Sequence, residues 1–413
     1  MNKTLISVLF SLFVTNSVFS QNTWQSQSSP VNTDLISICF TDTLNGWIAS
    51  EDGEIIHTTD GGNNWQILKQ FVNFKPSGIV FINNNLGWIA GKMSNITDTA
   101  CIMHTTNGGN NWGVIYKNAA CHLNDLFFIN DTLGWAAGWE LIGSDMVSLI
   151  LYTVDGGDTW TMSKGIRIQD ELFGIHFRDT ESGAACGKDG IFFTTDNGGR
   201  GSVFGWAAEI SIPSYGKDLY DIYNAGTMNG CAVGEGGFIL FTKDGWANHY
   251  DYESASQDTL MGVTGTADGI RFWAAGRNGS IVKMVFGLIP SIVEEDPVTS
   301  HDLNDIFAVS SNCIWAVGEE GTILFYGASL NSNNDIRFMN RFLIYPNPAT
   351  DKVCIKSHEY LIRFVQLLTI DGKQLLNIAE PVPLSSIELD ISDIARGIYF
   401  LKINNQIARI IIK

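Results

Sequence analysis

Three aspartates stand at the same place in a repeated apolar pattern, one residue before its central branched side chain: Asp125, Asp221 and Asp305. Their counterparts in the other copies are Ser37, Gly78, Gly174 and Gly262. Three carboxylates gathered at one channel mouth can hold Ca²⁺ or a polar ligand. The small residues at the other four positions favour packing and turn bonding instead. A second polar set recurs in glycine-rich hairpins: Asp60, Asn107, Asp155, Asp196 and Asp244, with Trp65, Trp112 and Trp160 closing the first three. There an Asp or Asn side chain bonds amides two residues on, the glycines permit positive φ, and the tryptophan covers the hairpin. A turn repeated five times is expected to serve the fold, not a ligand. Gly87 to Lys92 and Gly183 to Lys188 have three residues between their glycines where a phosphate loop needs four. Neither His-Glu-x-x-His, Cys-x-x-Cys nor Gly-x-Ser-x-Gly occurs. The expectation is a non-catalytic chain without a cofactor, with calcium at the three aspartates as its one candidate metal. The paired carboxylates of a glycosidase cannot be picked from so many acids, and that activity stands as the enzyme alternative.

The elements that must position these residues are β-strands. Of 413 residues 16% are charged, and 42 Gly stand against 9 Pro, which leans all-β with two or three domains. Asp and Glu number 43 against 25 Lys and Arg, a net charge of −18 that repels phosphate backbones and makes nucleic acid a poor partner. Met1 to Ser20 reads as a secretory signal: Lys3 begins it, Leu5 to Val14 is apolar, and Val18 and Ser20 are the small residues before a cut. Ser11, Thr15, Asn16 and Ser17 interrupt it too often for a transmembrane helix. No later stretch reaches spanning length, so the mature chain from Gln21 is expected to be exported without a membrane span.

Seven copies of a Gly-Trp-x-Ala-Gly strand follow. Their second positions are Trp47, Trp88, Trp135, Ala184, Cys231, Trp273 and Trp315, at steps of 41, 47, 49, 47, 42 and 42 residues. Those steps have the length of a four-stranded propeller blade. About twelve residues ahead of each lies a Leu-x-x-Ile-x-Phe strand, fullest at Leu35 to Phe40, Leu123 to Phe128 and Leu172 to Phe177. The seventh copy lacks its last strand, while Thr23-Trp24-Gln25 is similar to Asn64-Trp65-Gln66. The N-terminal segment is therefore expected to close the ring. The sixth copy lacks its hairpin, and Ile289 to Ser300 reads as an acidic loop in its place. Cys101 and Cys121 are the best placed of seven cysteines for a disulfide.

The hairpins resemble the Asp-box of bacterial neuraminidase-type repeats. The whole unit is similar to the repeat of the photosystem II assembly (stability) factor propellers. These resemblances cover Gln21 to about Phe325 and imply a protein-binding scaffold. Sialidase chemistry is set aside because Arg167-Ile168 is followed by Gln169, not proline, and the first three repeats hold no arginine. The runner-up is polysaccharide binding or hydrolysis of the Asp-box propeller type, with Trp139 or Tyr215 as stacking platforms.

The Asn- and Ser-rich run 331–340 reads as a linker. Beyond it, 341–413 reads as short strands between turns, a small Ig-like sandwich. It resembles the type A C-terminal sorting domain of the type IX (Por) secretion system, through Tyr345-Pro346-Asn347-Pro348, an Asp371-Gly372 turn, Gly397-Ile398-Tyr399 and the terminal Lys413. That resemblance implies the type IX machinery as a partner and a secreted or surface-displayed product. The expected chain is thus a signal peptide (1–20), a seven-bladed β-propeller (21–330), a linker (331–340) and a sorting domain (341–413), with an unknown extracellular protein or glycan as ligand.

Overall fold

The computed structural model describes residues 22–412 except 95–98, 165–167, 201–204, 209–215, 288–289, 328–342, 346–348, 357–361, 370–372, 385, 393 and 404–405. The signal segment, the linker, Pro346, Asn347, Pro348, the Asp371-Gly372 turn and Lys413 lie outside the described residues, as does Tyr215. The chain divides into two compact units, Met1–Ser329 and Leu330–Lys413.

Among the described residues the first unit holds seven four-stranded antiparallel sheets. Numbered by their innermost strands, sheet one begins with Leu35–Phe40 and sheet two with Phe74–Phe81. Sheets three to seven begin with Cys121–Phe128, Leu172–Phe177, Leu219–Asn224, Leu260–Gly265 and Leu303–Ser310. Each innermost strand packs beside that of the next sheet, and the seventh packs beside the first, which makes a propeller-like ring. The second strands are buried through their Gly-Trp-x-Ala-Gly segment, Gly46–Ser50 over its whole length, whereas Gly134–Ile142 runs on to exposed Leu141 and Ile142. Each sheet is covered on both faces by its neighbours, so these strands read as unbroken apolar runs.

Tryptophans of the second strands join one sheet to the next. Trp47 stacks on Phe81 at 4.0 Å, Trp88 on Phe128 at 3.7 Å, Trp135 on Phe177 at 3.6 Å and Trp315 on Phe40 at 3.7 Å between ring centroids. The glycine before Trp47, Trp88 and Trp135 makes room for a phenylalanine of its own sheet: a Cβ on Gly46 would lie 2.4 Å from the Phe40 ring.

Closure uses the N-terminus. Thr23–Gln27 pairs antiparallel with Ile323–Gly327 as the outer strand of sheet seven, placing buried Trp24 5.4 Å from Tyr326. Gln27 then reaches sheet one, where its Nε2 donates to Gly61 O at 3.1 Å and its Oε1 accepts from Trp65 Nε1 at 3.0 Å.

Two expectations need correction. Much of the acidic stretch read as a loop is a strand: Pro290–Glu294 pairs with Ile281–Phe286 as the outer strand of sheet six. An outer strand has one neighbour and a wet face, so it needs little apolar signal, and Pro290 is tolerated at its first position. Cys101 and Cys121 form no disulfide; both are free and buried, behaving as small apolar residues.

The second unit has a three-stranded sheet, ordered Leu343–Tyr345, Lys352–Lys356, Ser386–Asp390. Its four-stranded sheet is ordered Gln374–Leu384, Ile362–Leu368, Gly397–Ile403, Gln406–Ile412. Val353, Ile355 and Leu389 of the first share one core with Val365, Leu367, Leu401 and Ile410 of the second.

Candidate functional site

The three aspartates of the innermost strands do come together, in a ring of backbone amides. Every innermost strand shifts register at the same place, for example between Leu123 and Asp125. Such a bulge turns the following N–H out of the ladder, and a buried N–H must find another acceptor. Asp125 takes Leu126 N at 2.7 Å with one oxygen and Ile175 N of sheet four at 2.9 Å with the other. Asp221 takes Ile222 N and, in sheet six, Val263 N, both at 2.7 Å. Asp305 takes Ile306 N at 2.7 Å and Ile38 N of sheet one at 2.8 Å. Three carboxylates thus serve six of seven amides, and an odd ring leaves one over. Ser37 Oγ accepts that one, Ile79 N, at 3.3 Å. The glycines between the aspartates are places of close approach: a Cβ on Gly174 would lie 3.1 Å from Asp221 Cα.

Burial pushes the Asp125 carboxyl up to about 7 and that of Asp305 to about 6. Asp221 is raised well above the carboxylate range by burial first, then by the charges of Asp125 and Asp305. The three carboxylates therefore sense one another. Their oxygens are occupied by amides, and among the described residues no group of three or more His, Cys, Asp or Glu is placed to hold a metal ion.

These shifts bear on stability in a defined window. An acid whose folded pKa is raised favours the fold below its unfolded pKa, near 4, and that contribution is lost as pH rises through the folded value. Half-buried His176, lowered to about 3 by desolvation, acts oppositely: its contribution is present above about 6.5 and lost as pH falls. The two offset between about pH 4 and 6.5; above 6.5 the histidine gain is nearly complete, while the carboxylates go on losing their contribution. The urea midpoint is expected to be higher at pH 6.5 than at pH 8; an equal or lower one would contradict the assignment.

The glycine-rich hairpins consume their own polar groups. Asp60 Oδ1 accepts from Thr58 Oγ1 and Asn64 N, both at 2.9 Å, and its Oδ2 from Asn64 Nδ2 at 2.7 Å. Asp155 makes the same bonds with Thr153 and Thr159, which hold its carboxyl down to about 2. Asp244 does so with Thr242 and Asn248, and Asn107 accepts from Thr105 and Asn111. In the fourth hairpin the residue is Asn197, not Asp196: Thr195 Oγ1 donates to Asn197 Oδ1 at 3.0 Å. The Thr-x-Asp spacing of Thr58 and Asp60 was the signal for this. Trp65, Trp112 and Trp160 meet Phe40, Phe81 and Phe128 edge-on, and Trp206 meets Phe177 likewise, a fourth hairpin tryptophan that an insertion hid. Trp139 is half-buried and stacked on His122, with ring centroids 5.7 Å apart.

In the second unit Tyr345 pairs with Cys354 in the three-stranded sheet. Gly397 opens the Gly397–Ile403 strand, and Tyr399 Oη donates to Ala395 O at 2.7 Å.

Comparison with known proteins fits both units. Residues 16–121 match the family described as photosynthesis system II assembly factor YCF48, and residues 343–413 match the secretion system C-terminal sorting domain. The chain carries a YCF48-like propeller followed by a Por sorting domain. The YCF48-like part is similar to the solved structure described as YCF48 bound to D1 peptide, at 17% identity and TM-score 0.59, covering 74% of this chain and 97% of that one. YCF48 from Cyanidioschyzon merolae is similar at 20% identity and TM-score 0.56, over 74% and 98%. A chain of the mitotic checkpoint complex aligns at 8% identity and TM-score 0.58, over 80% and 98%. At these identities the likeness is one of fold. No curated protein matches the chain. The Por sorting domain indicates export by the type IX secretion system to the cell surface or the medium, and among the described residues no helix is long and apolar enough to cross a membrane.

Proposed function

We propose that the seven sheets are the blades of a secreted, non-catalytic seven-bladed propeller that binds protein, delivered by an Ig-like sorting domain whose own partner is the type IX machinery. One observation carries this reading: at the centre of the ring the three carboxylates spend their oxygens on backbone amides. An inner wall built that way has its polar groups committed to the fold, with neither a cofactor nor a metal needed to satisfy them. The solved YCF48 bound to D1 peptide supports protein as the ligand class. The ligand of this chain belongs outside the cell, where a signal peptide at 1–20 and the sorting domain would deliver it.

The test pairs two measurements on the full mature chain. Photo-crosslinking at the surface of the producing cell is expected to trap a protein. A polysaccharide panel followed for released reducing ends is expected to show no turnover. Turnover of any polysaccharide would overturn the non-catalytic reading and favour the Asp-box glycosidase.

A further inference from the structure

Three junctions between neighbouring sheets share a further bond. Trp47 Nε1 donates to Gly108 O at 3.0 Å, and Trp88 Nε1 to Gly156 O and Trp135 Nε1 to Gly198 O at 2.8 Å. In each case an indole from one sheet enters the next, stacks on its phenylalanine and pairs its N–H with the first hairpin glycine. In the first two junctions a histidine, His57 or His104, backs the indole.

The junction between sheets four and five departs from this at each position. Ala184 replaces the tryptophan, Thr194 the histidine and Asn224 the phenylalanine. Gly245, the counterpart of Gly108, Gly156 and Gly198, receives no indole from Ala184. Trp246 sits at the second glycine position with φ +75, a conformation that disfavours side chains. Its indole donates to Asn224 Oδ1 at 2.6 Å and lies against Gly230, so it fills the space of the missing phenylalanine and not that of the missing indole. A cavity of 340 Å³ remains, lined by Gly183, Thr194, Asn224, Gly245, Trp246 and Arg178. Arg178 is held in place, with Nε 3.2 Å from Asp179 Oδ2 and Nη2 donating to Ser182 Oγ at 2.8 Å.

The geometry points to this cavity as a slot for an indole ring presented by a partner protein: a tryptophan from outside enters where three other junctions use one of the chain's own. The inference rests on the protein-binding reading above and names its anchor. The junction offers what an indole requires, namely an aromatic wall in Trp246, a hairpin glycine of the kind that accepts its N–H elsewhere, and a guanidinium suited to an electron-rich ring. A phenyl ring would forgo the hydrogen bond.

The test is ligand-observed NMR on the mature chain with N-acetyl-tryptophanamide as the probe and N-acetyl-phenylalaninamide as the comparison. The tryptophan probe is expected to bind about five-fold tighter, the worth of one hydrogen bond. Arg178→Ala should weaken binding and leave the fold intact. Ala184→Trp fills the slot from within and should abolish binding and raise the melting temperature. Failure of the wild-type chain to bind the probe, equal binding of the two probes, or binding unchanged in Arg178→Ala would overturn the slot, even if Ala184→Trp does not fold. Probe binding without any crosslinked protein would leave the slot and remove the scaffold reading; a crosslinked partner without probe binding would do the reverse.

Discussion

Asp221→Ala is expected to lower the unfolding free energy by about 3 kcal/mol, since each of two buried amides then loses its acceptor at roughly 1–3 kcal/mol apiece. Ile222 N and Val263 N lie on adjacent sheets, and Asp221 is the group that ties them together. Removing it also relieves repulsion from Asp125 and Asp305, which works in the opposite direction. The lost hydrogen bonds win because two backbone N–H groups of the inner wall are left without an acceptor. Asp221→Asn keeps one acceptor oxygen and puts an amide N–H₂ against the second backbone N–H, so about half the loss is expected. The check is urea unfolding at pH 7 of wild type and both variants. A midpoint for Asp221→Ala equal to that of wild type would mean that channel water serves these amides as well as the carboxylate does.

The second large effect is expected at the closure. Trp24→Ala should cost about 3–5 kcal/mol, the usual toll for emptying a buried aromatic site. Deleting 21–27 should cost more. It strips a strand from Ile323–Gly327 and leaves an exposed sheet edge, and it also removes Gln27 from between Gly61 O and Trp65 Nε1. An open edge recruits other chains, so the deleted form is expected to melt lower and to elute as concentration-dependent oligomers on size exclusion. A monomer with wild-type melting temperature would show that the ring holds without its N-terminal strand.

What could be read from the residues alone was whatever depends on neighbours a few positions away. The hairpins are of that kind: Thr58, Asp60 and Asn64 bond one another within seven residues, so their pattern repeats visibly. So are the second strands, whose burial on both faces forces small and aromatic residues into a fixed order. The closing strand was legible because Thr23-Trp24-Gln25 keeps the form of the outer strand it replaces. The sorting tail was legible through its own short motifs. Asp196 and Asn197 both suit a turn, and the Thr-x-Asp spacing of the other hairpins, kept here by Thr195 and Asn197, marks Asn197 as the one that accepts from Thr195. Pro290–Glu294 was missed because an edge strand with one wet face carries little apolar alternation.

The remaining features join residues about one repeat apart, and these needed the assembled ring. Asp125, Asp221 and Asp305 stand out in the sequence, but that each bridges to the next sheet, and that Ser37 supplies the acceptor an odd ring leaves wanting, follows from closure. The cavity between sheets four and five has the same origin. Ala184 and Asn224 are ordinary residues separately, and they leave an opening because packing sets them across one junction where other sheets place tryptophan and phenylalanine. A local turn is encoded by hydrogen bonds its own residues can make, whereas a junction is a product of two surfaces whose alignment the whole ring imposes.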